Sequence, residues 1–82
     1  MAGKREGEIF GQTLRLLRTK RGWTQEDLAD AAELTATYVG QVERGDKVPS
    51  LTVILKLSRA LSVAPGELLA EFSTTVLRSL RF

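Results

Sequence analysis

Between Gln25 and Lys47 the chain gathers side chains suited to non-covalent recognition: Gln25, Thr35, Thr37, Tyr38, Gln41, Arg44 and Lys47. An amide such as Gln41 donates and accepts at once, so it can hold a flat polar edge through two hydrogen bonds. A hydroxyl such as Thr37 offers one bond of either kind, and Arg44 and Lys47 carry positive charge that anions seek. Covalent chemistry has little to work with. The chain contains no Cys and no His, which removes the commonest metal ligand, the commonest general base and any thiolate or disulfide. No glycine-rich phosphate loop is present. Glu26, Asp27 and Asp30 fall on the outer face of a helical pattern and need no catalytic explanation. These residues predict neither an enzyme, nor a metal site, nor a cofactor.

The elements that must position these side chains are helical, and no segment alternates like a strand. In a first helix over about 6–20, Phe10, Leu14 and Leu17 give one apolar face, and Gly22 ends it. Thr24 is a natural N-cap for a second helix, with Asp27 three residues on as in a capping box. Leu28, Ala29 and Ala32 form its inward face. Thr35 caps a third helix that turns Val39 and Val42 inward and Ala36, Thr37, Gln41 and Arg44 outward; Gly45 stops it. Ser50 caps a fourth helix over 51–61, with Leu51, Ile54, Leu55, Leu57 and Leu61 apolar. Pro65 sits where proline is favoured, at the first position of a short helix over 65–70 that closes the core with Leu68 and Leu69. Val76, Leu77 and Leu80 mark a marginal sixth helix in the tail, which must pack on something.

At 82 residues this is one domain spanning 1–82, and with 43% hydrophobic residues it should fold. The net charge of +2 is uninformative by itself, but its distribution is not. Residues 1–22 carry six Lys/Arg against two Glu. Residues 23–43 carry five acids and no base, and 44–82 carry six bases against three acids. The densest basic stretch is Arg15, Arg18, Lys20 and Arg21. It reads either as a solvated helix face or as a set of phosphate contacts, with Arg15 and Arg18 the weaker candidates because the first helix often faces away. Glu43 reads as structural, since an acid facing phosphates would oppose binding. Trp23 and Phe10 read as core, because single-strand binders need several exposed aromatics. Nothing near Met1 resembles a signal peptide and no stretch is long enough to span a membrane. The expectation is a cytoplasmic, nucleoid-associated protein with no membrane partner and no evident pocket for a small ligand.

Residues 24–45, TQEDLADAAELTATYVGQVERG, place two short helices around a tight turn, the helix-turn-helix arrangement. The TQEDLA opening, the TYVGQVERG segment and the LTVILKLSRALSV run together resemble the Cro and phage-repressor type of helix-turn-helix domain over about residues 8–70. The small size and short C-terminal helix are similar to the controller proteins of restriction–modification systems. The resemblance implies an all-α fold: a compact five-helix repressor-type domain with a short extra C-terminal helix. It also implies a homodimer on a palindromic operator in double-stranded DNA, regulating transcription. The major groove is about 12 Å wide and admits one helix, whose N-terminal part faces the base edges. Here those positions are Ala36, Thr37 and Gln41. Gln41 suits a bidentate contact to adenine. Ala36 offers only apolar contact, so DNA shape should carry part of the specificity. By family position Gln25 sits on the phosphate backbone, and Thr35, Tyr38, Arg44 and Lys47 are the further phosphate candidates. Gln25 and Thr35 have capping of helix starts as their rival reading, with function favoured for Gln25, and Tyr38 could equally be a packing residue.

Two half-sites about 34 Å apart require a two-fold dimer. Its expected surface is the region of the fourth and fifth helices plus the tail 71–82, including Leu69, Phe72, Val76, Leu77 and Leu80, with Phe82 a further candidate. Packing of the tail within its own chain is the other reading. An antitoxin, which binds a protein partner as well as its own operator, is the alternative function.

Overall fold

Ten apolar side chains form one continuous core: Phe10, Leu14, Leu28, Ala29, Ala32, Val39, Val42, Leu57, Leu61 and Leu68. A computed structural model describes residues 4–82; residues 1–3 of the expected domain lie outside the described residues. Six α-helices occur in the described part: α1 Lys4–Lys20, α2 Gln25–Ala32, α3 Ala36–Glu43, α4 Leu51–Leu61, α5 Pro65–Leu68 and α6 Thr74–Ser79.

Local signals set nearly every boundary. The Thr24 hydroxyl accepts from the Asp27 N–H at 3.0 Å, and Asp27 Oδ2 accepts from the Thr24 N–H at 2.8 Å, completing the capping box. Thr35, Ser50 and Ser73 each accept from the backbone N–H three residues on. Gly22 and Gly45 take φ of +71° and +82°, the left-handed conformation that glycine adopts without a Cβ penalty. Glu33 and Ser62 adopt φ of 59° and 55° and end α2 and α4 without a glycine. This is mild strain that their cap hydrogen bonds to the preceding turn offset. α1 begins two residues earlier than its apolar pattern suggests, and α5 is one turn, shorter than the 65–70 expected.

α1 lies across α3, α3 crosses α2, α2 touches α4, and α5 bridges α4 to α1. Gly7 and Gly11, one turn apart, make the α1–α3 crossing close. A Cβ on Gly11 would lie 2.5 Å from the Glu43 carbonyl oxygen, and one on Gly7 would lie 3.0 Å from the Gly45 carbonyl oxygen. α4 carries more apolar surface than the core uses. Leu57 and Leu61 are buried, whereas Leu51 is 70% exposed and Leu55 is also open to solvent. Leu69, expected to help close the core, is exposed because α5 ends before it and Leu68 takes the inward position. The tail packs on its own chain. Arg5 Nη1 donates to the Ser79 hydroxyl at 2.9 Å and to the Ser79 carbonyl at 3.2 Å, and Leu80 is buried. Among the described residues no helix is long and apolar enough to cross a membrane.

Candidate nucleic-acid interface

The free face of α3 begins at its N-terminus. Thr35 is exposed, and its oxygen accepts from the Tyr38 N–H at 3.1 Å. Its own hydroxyl proton stays available, so capping and donation to an anion are compatible. Thr37 is exposed and Gln41, one turn on, is half-buried. Ala36 is half-buried and leans on the core, as does the ring of Tyr38. For both, packing accounts for the apolar part of the side chain. Inward, Val39 and Val42 hold the helix down on α1 and α2, so the outer face is fixed by burial of the opposite one.

Behind that face sits a buried charge network. Arg18, at the end of α1, meets Glu43, the last residue of α3. Nε donates to Oε2 at 2.6 Å and Nη2 donates to Oε1 at 3.0 Å, with the two side chains 10% and 3% exposed. Arg18 Nη1 also donates to the Trp23 carbonyl at 2.7 Å. The hydrogen bonds to Glu43 raise the Arg18 pKa above its ordinary value; burial pulls the other way, and the Glu43 charge adds to the rise. With two parallel bonds and little solvent, this is the geometry in which removal of one partner costs about 3–5 kcal/mol, because the other charge is left buried and unpaired. Gln25, the first residue of α2, joins the network by donating from Nε2 to Glu43 Oε1 at 3.0 Å. Glu43 is therefore structural, as its sign suggested. Arg18 is as well, which removes it from the phosphate candidates.

The dense basic stretch at the end of α1 and just beyond it divides. Arg21 stacks 4.3 Å above the Trp23 ring and donates to the Leu61 carbonyl at 3.1 Å, closing the C-terminal end of α4. Arg15 and Lys20 are exposed. At the other end of α3, Arg44 is exposed and pairs with Asp46, Nε to Oδ2 at 3.0 Å, while Lys47 is exposed on the turn that follows. That turn wraps back on α3, with the Asp46 N–H donating to the Gln41 carbonyl at 2.9 Å. Gln25 and Arg44 both lie against Gly40. A Cβ there would lie 3.3 Å from Gln25 Oε1 and 3.3 Å from Arg44 Nη1. Thr35, Thr37, Gln41, Gln25, Arg44 and Lys47 thus belong to α3 and its borders. The contributions of Gly40 and of the Glu43–Gln25 bond were missed in the sequence. The spacing of Gly40 within α3 was the available signal for the first, whereas nothing local signals the second.

The residues expected at a dimer contact separate into two grooves. Leu69, Phe72, Leu77, Leu80 and Phe82 line an apolar groove of about 450 Å³ together with Phe10, Val48, Pro49 and Ile54, with Glu6 at its edge. A groove of this size was not foreseen in so short a chain. Val76 lies in a second groove, against Ile9, Leu16 and Leu17 of α1.

A two-helix motif fixed by capping, with one helix held by its apolar side and its polar side left free, defines a DNA-reading domain. The sequence model described as a helix-turn-helix domain matches residues 9–72. Control protein C.BamHI of Bacillus amyloliquefaciens is 43% identical over 67 residues, covering 80% of this chain and 82% of that protein. The uncharacterized HTH-type transcriptional regulator YazB of Bacillus subtilis is 35% identical over 63 residues, covering 77% and 91%. Among solved structures, the restriction–modification controller protein C.AhdI from Aeromonas hydrophila superposes with a TM-score of 0.77 at 50% identity, over 78% of this chain and 97% of that one. The chain belongs to the helix-turn-helix domain family of DNA-binding transcriptional regulators.

Proposed function

We propose that this chain is a controller-type regulator that binds a palindromic operator near its own gene as a homodimer, working in the cytoplasm at the nucleoid. The observation that carries the reading is the free polar face of α3, with Thr37 and Gln41 outward and Gln25, Arg44 and Lys47 around it. Thr37 and Gln41 read base edges, Ala36 offers a methyl contact, and Gln25, Thr35, Tyr38, Arg44 and Lys47 hold phosphates. A single copy offers only two polar base readers, too few for a long site, so specificity requires a second half-site. Leu69, Phe72 and Leu77, supported from beneath by Leu80, supply the apolar surface on which two copies meet, while Val76 stands in the second groove.

The test is fluorescence anisotropy with DNA from upstream of the gene against a scrambled duplex at two salt concentrations. Preference for the upstream DNA with two chains per site supports the reading. Equal, weak and salt-sensitive binding to both duplexes overturns it.

A further inference from the structure

We infer that Glu43 is a positioning residue for DNA binding, aiming the Gln25 amide at a phosphate in addition to holding Arg18. The inference rests on the DNA-binding reading. A carboxylate only accepts hydrogen bonds, so it selects one end of a neighbouring amide. Glu43 Oε1 takes a hydrogen from Gln25 Nε2 at 3.0 Å, which fixes the amide group and leaves its second N–H for an outside acceptor. Glu43 cannot itself turn away, because Arg18 grips both of its oxygens and the side chain is 3% exposed. Gly40 completes the arrangement, since the Gln25 amide lies in contact distance of the place a side chain would occupy. Gln25 therefore reaches DNA already ordered, and the rotamer entropy of a long side chain is lost on folding rather than on binding.

Glu43→Gln separates this role from simple electrostatics. A neutral amide offers one acceptor oxygen to the three donors of Arg18 and Gln25 and an NH2 on its other side, so Gln25 can meet it by either end and its orientation is no longer selected. Removing an acid close to a polyanion would by charge alone tighten binding; loss of positioning weakens it. A double-mutant cycle separates the role from stability, using DNA affinities of four chains (parent, Glu43→Gln, Gln25→Ala and both) at a temperature where circular dichroism shows each folded. Glu43→Gln weakens binding about tenfold in the parent, within the range for groups in one network, and less than about twofold when Gln25 is already Ala. Equal losses in both backgrounds, or tighter binding, overturn the inference. A parent that binds no duplex overturns the DNA-binding reading itself, recognisable because no variant then has an affinity to lose. Should Glu43→Gln fail to fold, the Gln25 side-chain amide in the parent protein decides by NMR. Two well-separated proton resonances, one shifted downfield by the carboxylate, are expected. A pair at the positions of a free glutamine overturns the inference.

Discussion

Gln41 is the side chain on α3 proposed to make the bidentate base contact. It is half-buried one turn from the exposed Thr37, so the two stand on one face of the helix. Gln41→Ala should weaken operator binding by roughly 1–3 kcal/mol and relax base preference at one position, as expected for a lost bidentate contact. A titration against operators varied base by base measures both. Arg44 and Lys47 differ although they are three residues apart. Lys47 is exposed, whereas Arg44 is shared with Asp46 at 3.0 Å. Lys47→Ala should weaken binding to all duplexes alike and lower the salt slope by about one unit. Asp46→Ala should do the reverse, strengthening binding to every duplex, because it frees Arg44 and removes an acid beside the polyanion. The exposed pair itself is worth at most about 1 kcal/mol to the fold, so stability should hardly change. Salt-dependent anisotropy of the two variants checks both signs.

At the scale of the element, α1 positions α3 by lying almost backbone to backbone across its end. Gly11→Ala would drive a methyl into the carbonyls of Val42 and Glu43, neither of which can rotate away. We expect a loss of about 1–3 kcal/mol, the usual cost of overfilling a tight contact, read as a fall in melting temperature. Gly66→Ala makes a control, because a Cβ there meets nothing within 4 Å. The capping box is the matching device at the entrance to α2. Thr24→Ala should cost about 0.5–2 kcal/mol, since it leaves the Asp27 N–H without its acceptor.

For the whole molecule the question is where apolar surface goes. Leu51, Leu55, Leu69, Leu77 and Phe82 stay exposed in the single chain. Leu77 is 45% exposed, so a charge at that position is tolerated by the monomer and opposed only by a partner. Leu77→Glu should therefore shift sedimentation toward the monomer and weaken DNA binding while leaving helix content unchanged. A dimer that persists would place the contact elsewhere, on α4 through Leu51 and Leu55 or in the groove that holds Val76.

The elements and the outward side of each helix were legible in the sequence because their signals are local. Thr24 with Asp27, Thr35, Ser50, Gly22 and Gly45 each act within a turn of the backbone, and apolar period fixes which side of each helix faces in. The family and the polar face of α3 proposed to read DNA follow from the same short-range pattern. Tertiary structure alone decided the fate of the charges and the tail. Arg18 reaches Glu43 across 25 residues and Arg21 reaches Leu61 across 40, so neither could be told from a phosphate-binding arginine by its neighbours. Leu77 and Leu80 are three positions apart in the tail, yet one faces out and the other in. The helix ends at Ser79, and Arg5 holds that end 74 residues away. Helix caps depend on hydrogen bonds within one turn; partners for buried charge depend on how helices cross, which no short window of sequence contains.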